Sequence, residues 1–167
     1  MDYQVDNICN YINTDKEKFM NIAHEVYSFT EHLNQSYPDY KNWFYNKQIK
    51  ECQNLNRNII FVRNNEGKIV GVSSLKKTKN EKKICTLFIS STDRNKGVKT
   101  LLLKESFIYL ETEKPLITVS EENLNIYYKT IKECNWKLTE IVEGIYKKDT
   151  KEFCFNGKLI KTKNNKK

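Results

Sequence analysis

The sequence predicts a mixed α/β (α+β) fold in a single domain that spans residues 1–157. The full chain of 167 residues has the length of one ordinary domain. Short runs of β-branched and aromatic residues, bounded by turn residues, predict about seven strands. Between these runs lie segments whose apolar residues recur at helical intervals, and they predict about four helices. A lysine-rich tail, residues 158–167, follows the domain.

The N-terminal third predicts one edge strand and two helices. Weak alternation of apolar and polar residues favours an edge strand over residues 3–12. Thr14 and Glu17 have the spacing of a capping box, so we expect the first helix to begin with Thr14 as its cap. Pro38 then interrupts the helical pattern, and a second helix is expected over residues 40–55.

The middle of the chain predicts a three-stranded meander, with strands over residues 59–62, 69–75 and 84–89. The Asn64–Gly67 segment is typical of a turn and joins the first two strands as a hairpin. The remaining elements are expected as a helix over residues 98–110, a strand over 115–119, a helix over 121–134 and a closing pair of strands over 136–146 and 152–155.

The most informative segment is residues 87–102, where an apolar strand leads through a polar turn and a basic, glycine-containing loop into the next helix. A helix N-terminus carries backbone N–H groups without intrahelical acceptors and a positive partial charge, so it can bind phosphate. The segment lacks both the G-x-x-x-x-G-K-[ST] pattern of nucleotide hydrolases and the G-x-G-x-x-G pattern of dinucleotide binders. It therefore predicts a phosphate site of another kind.

The loop resembles the R-x-x-G-x-[GA] loop of the GCN5-related N-acetyltransferases (GNATs), which holds the pyrophosphate of acetyl-coenzyme A (acetyl-CoA). Residues 94–97 fit R-x-x-G, and Val98 fits the apolar position that follows. Lys99 stands where the family prefers glycine or alanine. The order of the predicted elements agrees with the family's order over about residues 3–157. The resemblance implies a mostly antiparallel central sheet of about seven strands, flanked by about four helices.

The resemblance also implies which residues hold acetyl-CoA. The strand before the loop would line the pantetheine arm, and the N–H groups of Lys96 through Thr100 would face the pyrophosphate. Arg94 would contact a phosphate or cap the end of the strand. The cofactor-binding residues implied in this way are Phe88, Ile89, Ser90, Arg94, Asn95, Lys96, Gly97, Val98, Lys99, Thr100 and Asn123.

Catalysis requires a group that protonates the departing thiolate. Many family members use a tyrosine on the last helix, but the corresponding position in this chain is Ile131. Tyr127 lies one turn earlier on the same helix face, so it is the candidate acid. Together with Leu124, Ile131 and Cys134, Tyr127 equally fits a stripe of core residues.

The group that removes the amine proton has no clear candidate. The family often uses a glutamate on the strand before the loop, where this chain offers Cys85 and Thr86. Water relayed from Glu25, Glu31 or a backbone carbonyl is an alternative. The first two helices usually shape the acceptor pocket, and the aromatic residues that would shape it, or equally the core, are Tyr27, Tyr37, Tyr40, Trp43 and Tyr45.

The net charge of +8 comes almost entirely from lysine, with only three arginines in the chain: Arg57, Arg63 and Arg94. Phosphate and base recognition favours the arginine fork. Three interpretations of the charge stay open: a solvated lysine surface, attraction of the polyanionic coenzyme A, and nucleic-acid binding.

The five cysteines are scattered without a C-x-x-C motif, and His24 and His32 accompany no ligand cluster. We therefore expect reduced thiols, no metal site and a cytoplasmic location. No apolar run has membrane-spanning length, so no membrane partner is expected.

The resulting hypothesis is an N-acetyltransferase that moves the acetyl group of acetyl-CoA to a primary amine by direct attack in a ternary complex. The acceptor would be a small molecule or a peptide, no nucleic-acid partner is expected, and a homodimer is compatible with the sequence. The alternatives are an acetyl-CoA-binding module with little catalysis and a basic nucleic-acid-binding α/β protein.

Overall fold

The structure is a computed structural model that describes residues 2–159. Most of the predicted lysine-rich tail, residues 160–167, lies outside this range. The chain divides into two compact units, Met1–Glu113 and Lys114–Lys167. The expectation that residues 1–157 form one domain stays a prediction.

The first unit contains four antiparallel strands: β1 (Gln4–Asn7), β2 (Arg57–Arg63), β3 (Ile69–Lys77) and β4 (Lys82–Ile89). Neighbouring strands along the chain pair with one another, so β1 lies beside β2, β2 beside β3 and β3 beside β4. The predicted meander is therefore present, with strands a few residues longer than expected. The predicted edge strand over residues 3–12 is shorter, because Ile8–Tyr11 form a 3-10 helix instead.

A bulge interrupts the pairing of β3 with β4. Ser74 is opposite Thr86, but the next pair is Leu75 with Ile84, so Cys85 has no Cα partner in β3. An extra residue of this kind changes which face of the sheet the following side chains occupy.

The first helix, α1 (Lys16–Thr30), begins one residue later than the capping box predicted. Asp15 is the N-cap, and its Oδ1 accepts a hydrogen bond from the Lys18 N–H at 2.9 Å. The Thr14 hydroxyl instead donates to the Asn10 carbonyl at 2.9 Å. A carboxylate at the N-cap satisfies one orphan N–H and complements the helix dipole.

The second helical segment is continuous but not uniformly α-helical. It consists of α2 (Tyr40–Trp43), a π-helical stretch (Phe44–Ile49) and α3 (Lys50–Cys52). The last helix of this unit, α4 (Val98–Leu110), has the bounds that the sequence predicted.

The helices of the first unit cover both faces of its sheet. Alternate β3 residues meet α4: the Ser73 hydroxyl lies 2.9 Å from that of Ser106, and Gly71 approaches Val98. Val72, which points the other way, belongs to the core that contains the apolar face of α1 and the second helical segment. Strand β3 is thus covered on both faces.

The second unit contains β5 (Leu116–Ser120), α5 (Leu124–Glu133), β6 (Leu138–Glu143) and β7 (Lys151–Phe155). Strand β7 pairs antiparallel with both β5 and β6. Within the described residues, seven strands and four helical segments follow one another in the predicted order, and the predicted fold class is confirmed.

Candidate functional site

The segment between β4 and α4, which we call the β4–α4 loop (residues 90–97), turns sharply into the helix. Ser91–Asp93 form one turn of 3-10 helix. Asn95 and Gly97 then adopt left-handed backbone conformations, with φ of 62° and 88°. Helix α4 begins directly after this second left-handed residue, so the loop delivers the chain into the helix within a few residues.

Gly97 is the N-cap of α4 and provides no side-chain cap. A Cβ added to Gly97 would meet no protein atom within 4 Å, so crowding inside the protein does not require glycine. The positive φ of Gly97 is what favours glycine here, because residues with a Cβ have a steric penalty in this region of backbone conformation. The space above Gly97 is open, as the close approach of a ligand to the backbone requires.

The first turn of α4 presents backbone N–H groups of the kind that bind anions. The first helical hydrogen bond runs from the Leu101 N–H to the Gly97 carbonyl at 3.1 Å. The N–H groups before Leu101 have no acceptor within the helix and carry the positive end of its dipole. Lys96 and Thr100 are exposed beside this turn, and Lys99 is half-buried. This arrangement is typical of phosphate-binding sites, and its role in this chain stays a prediction.

Asp93 holds the loop in place. Its carboxylate accepts hydrogen bonds from the hydroxyls of Tyr3 (2.9 Å), Ser90 (3.0 Å) and Thr92 (2.7 Å). The hydrogen bond from Thr92, together with those from Tyr3 and Ser90, lowers the pKa of Asp93 below its ordinary value. Arg94 Nε donates to the Ile89 carbonyl at 3.4 Å, so in this structure Arg94 caps the end of β4.

Gly71 sets the distance between α4 and the sheet. A Cβ at this position would lie 2.7 Å from Val98 Cγ1 and 3.0 Å from Leu102 Cδ1. Gly71 is opposite Ile89, the last residue of β4. The absence of a side chain therefore lets the first turn of α4 pack against β3 beside the point where the loop begins.

The other face of β4 meets α1 and the residues that follow it. The Phe88 ring lies 5.2 Å from that of Phe29 and 4.3 Å from that of His32, measured between centroids. His32 belongs to a 3-10 helix (Glu31–Gln35) that directly continues α1. Phe29 and His32 are three residues apart, so both can reach the same strand residue. The contact of His32 with β4 is a feature that the sequence analysis missed.

A buried charge lies further along the same face. Arg57 is 3% exposed, and its Nε donates to Glu51 Oε2 at 2.7 Å. Its Nη1 donates to Gln48 Oε1 at 3.0 Å and to the Sγ of Cys85, the bulge residue, at 3.5 Å. The guanidinium is thus engaged with several acceptors, as a buried charge requires.

The aromatic residues of the first two helices are packed against the core. Tyr40 is 4% exposed, and the rest of this set, Tyr27, Tyr37, Trp43 and Tyr45, are partly buried beside it. The Tyr40 hydroxyl donates to Thr30 Oγ1 at 2.8 Å. Burial raises the pKa of Tyr40 to about 12, so its hydroxyl stays protonated at neutral pH.

The two carboxylates considered for a water relay differ in their surroundings. Glu25 forms a paired salt bridge with Arg63, with Oε2 at 2.6 Å from Nη2. Glu31 is exposed at the start of the 3-10 helix that carries His32. Glu25 is therefore already neutralised, whereas Glu31 lies within one residue of the Phe88 contact.

Asn123 and Tyr127 belong to the second unit. Asn123 Nδ2 donates to Ser120 Oγ at 2.9 Å at the start of α5. Tyr127 is half-buried on the same stripe as Leu124, Ile131 and Cys134, whereas its neighbour Tyr128 is 60% exposed. The roles assigned to Asn123 and Tyr127 stay predictions.

Within residues 2–159, no group of three or more His, Cys, Asp or Glu side chains could hold a metal ion. None of the helices in that range is both long and apolar enough to cross a bilayer.

The sequence matches no known family model and no curated protein. The fold, in contrast, has many solved counterparts. An aminoglycoside 6'-N-acetyltransferase crystallised with coenzyme A aligns with 93% of this chain and 95% of its own, with a TM-score of 0.58 at 10% identity. A GNAT-family acetyltransferase from Elizabethkingia anophelis with acetyl-CoA bound aligns with 65% and 80%, with a TM-score of 0.51 at 15% identity.

Nourseothricin acetyltransferase aligns with 61% of this chain, with a TM-score of 0.56 at 9% identity, and the match spans 65% of its own length, less than two thirds. At these identities the likeness concerns the fold alone. The chain has the fold of the GCN5-related N-acetyltransferases.

Proposed function

We propose that this protein is an N-acetyltransferase that moves the acetyl group of acetyl-CoA to a primary amine. The observation that carries the proposal is the β4–α4 loop, which enters α4 through left-handed Asn95 and Gly97 and leaves the N–H groups of the first helical turn without helical acceptors. The pyrophosphate of acetyl-CoA matches this site in charge. The GNAT fold supports the same ligand.

The exposed basic side chains reinforce the match. Arg94 and Lys96 are exposed in the loop. Among residues 90–97, Asp93 is the single residue with a carboxylate side chain. The Asp93 carboxylate accepts three hydrogen bonds from hydroxyl groups, so its negative charge is already stabilised within the protein. The N-terminus of α4 therefore remains an attractive place for a polyanion.

The reaction we propose is direct attack in a ternary complex. The nitrogen of the neutral amine forms a bond to the thioester carbonyl carbon, and the carbon–sulfur bond then breaks. The amine loses one proton, and the coenzyme A thiolate leaves and is protonated. For this last proton transfer the sequence offers Tyr127, which fits a core stripe of α5 equally well.

The acceptor class rests on the neighbours. The structural neighbours include an aminoglycoside acetyltransferase and spermidine acetyltransferases. We propose that the acceptor is a small molecule or a peptide with a primary amine. We also propose a cytoplasmic location for the protein, and a homodimer is compatible with the fold.

Calorimetric titration with acetyl-CoA tests the cofactor site. We expect Gly97→Glu to abolish binding, because its side chain would enter the phosphate site and repel the pyrophosphate. The matched control is Gly67→Glu, since Gly67 also has a positive φ (77°) and no neighbour within 4 Å of an added Cβ, but lies in the β2–β3 turn. Both variants carry the same strain and charge, so only the position differs.

Four results would contradict the proposal or part of it. If the wild-type protein does not bind acetyl-CoA, the assignment of acetyl-CoA as its cofactor is wrong. If wild type and Gly97→Glu bind acetyl-CoA with equal affinity, the β4–α4 loop is not the binding site. Acetyl-CoA binding without release of coenzyme A in the presence of amines would identify a binding module instead. Tight oligonucleotide binding with a steep salt dependence would favour the nucleic-acid interpretation.

A further inference from the structure

We propose that His32 is the base that takes the proton from the acceptor amine. The inference rests on the proposed acetyl transfer and assigns the one catalytic task for which the sequence offers no candidate. It is carried by the position of His32 against β4, by the lack of a carboxylate on that strand, and by the engagement of the neighbouring acid–base groups.

The position of His32 follows from its contact with Phe88. The two ring centroids are 4.3 Å apart with an interplanar angle of 52°, which is close enough for direct packing. Phe88 is one residue from the end of β4, directly before the β4–α4 loop. If acetyl-CoA occupies the loop and follows β4, His32 stands beside its pantetheine arm, on the face that α1 covers.

Strand β4 itself provides no base. Its residues are Lys82–Ile89, and none of them is Asp, Glu or His. Its Cys85 thiol accepts a hydrogen bond from buried Arg57. The proton acceptor must therefore come from an element that packs on the strand.

Four other acid–base groups on this side of the unit are buried or engaged by protein partners. Glu25 pairs with Arg63, and Glu51 pairs with Arg57. The Tyr40 hydroxyl is buried, and its raised pKa of about 12 keeps the proton in place. His24 Nδ1 lies 3.0 Å from the Tyr45 hydroxyl. These contacts fix each group in a structural role.

His32 differs from all of these groups. It is exposed, and within residues 2–159 neither ring nitrogen forms a hydrogen bond with the protein. A neutral imidazole has one nitrogen with a free lone pair and can accept a proton. The nearest carboxylate along the chain, Glu31, is exposed on the same 3-10 helix and serves as the competing candidate.

The proposed step transfers one acetyl group and one proton. As the amine nitrogen bonds to the carbonyl carbon, its proton moves to the free imidazole nitrogen of His32. The carbon–sulfur bond breaks, and its electron pair leaves with the coenzyme A thiolate. The imidazolium then releases the proton to solvent. No oxidant, reductant or further reactant is required.

The test compares His32→Gln with two matched controls, His24→Gln and Glu31→Gln. Acetyl-CoA affinity is measured by calorimetry. Turnover is followed as coenzyme A thiol release with spermidine, kanamycin and a lysine-containing peptide as acceptors. We expect His32→Gln to bind acetyl-CoA like wild type but to lose about 10²-fold or more in kcat, the usual effect of a positioned base. His24→Gln should stay within a few-fold of wild type, whereas Glu31→Gln tests the competing carboxylate.

Added imidazole provides a readout that a structural role would not move. We expect it to restore part of the kcat of His32→Gln and not to accelerate wild type, after subtraction of the reaction without enzyme. Near-wild-type kcat in His32→Gln would overturn the assignment of His32 alone. So would loss of acetyl-CoA binding in that variant, or a comparable fall in Glu31→Gln. A wild-type protein that binds acetyl-CoA but acetylates none of the three amines would overturn the proposed function, and this inference with it.

Discussion

The contact between Gly71 and the first turn of α4 is the feature of the fold that most directly connects stability to the candidate site. An added Cβ at Gly71 would lie 2.7 Å from Val98 Cγ1, whereas carbon atoms prefer a separation of about 3.5–4.0 Å. Val98 is fully buried, and its β-branched side chain has little rotamer freedom. Gly71→Ala must therefore displace α4 from the sheet.

The expected cost follows from two opposing effects. Overpacking of a filled core costs about 1–3 kcal/mol. The lower entropy of the unfolded chain returns about 0.4–1 kcal/mol when alanine replaces glycine. We expect a net loss of about 1–2 kcal/mol in the free energy of unfolding, measured by urea denaturation. Because the displaced turn carries the groups that we propose to bind phosphate, we also expect the Kd for acetyl-CoA to rise about tenfold or more.

Two further variants make the interpretation of Gly71→Ala specific. Gly157→Ala is the control, since its Cβ would meet Leu116 at an ordinary 3.7 Å, and we expect a stability close to wild type. Val98→Ala removes the methyl groups that obstruct Gly71→Ala, so the double variant should lose less stability than the sum of the two single variants, with a coupling of about 0.5–3 kcal/mol. Additive losses, or a Gly71→Ala variant within about 0.5 kcal/mol of wild type, would refute the reasoning.

Two other predictions concern a structural carboxylate and the candidate acid. The pKa of Asp93 is lowered in the fold, so its hydrogen bonds contribute stability above the ordinary aspartate pKa of about 3.9, and this contribution is lost as the pH falls through the lower folded value. Asp93→Asn should therefore destabilise the protein at pH 7. Chemical denaturation at a series of pH values should show that the difference in the free energy of unfolding between the variant and wild type shrinks below about pH 4. A difference that stays constant with pH would contradict this. Tyr127→Phe should leave kcat nearly unchanged, because Tyr127 lies on a half-buried stripe of α5, whereas a fall of about 10²-fold at unchanged acetyl-CoA affinity would identify Tyr127 as the acid.

The sequence was most informative where local chemistry decides the structure. The bounds of α4 were predicted correctly, because a glycine precedes Val98 and apolar residues then recur at helical spacing up to Leu110. The hairpin of β2 and β3 followed from the turn residues Asn64–Gly67 between two apolar runs. The phosphate-binding role of the β4–α4 loop stays a prediction, but its left-handed residues and helix start are the backbone features it needs.

Other features depend on contacts that a sequence pattern does not contain. The N-cap of α1 is Asp15 and not the predicted Thr14, because the Thr14 hydroxyl donates to the carbonyl of Asn10 in the preceding 3-10 helix. The π-helical stretch Phe44–Ile49 keeps the same residue types as an α-helix, so periodicity does not reveal it. His32 lies far from Phe88 along the chain, and their contact exists only after α1 packs on the sheet.

The claim that the first turn of α4 binds the pyrophosphate of acetyl-CoA is tested most directly by amide NMR. The ¹⁵N-labelled protein is titrated with coenzyme A and, separately, with pantetheine, which lacks the pyrophosphate. We expect coenzyme A to shift the amide signals of residues 97–100 together with those of Phe88 and Ser90. Pantetheine should affect at most the two β4 signals. Coenzyme A binding that leaves the signals of residues 97–100 unchanged would contradict the account.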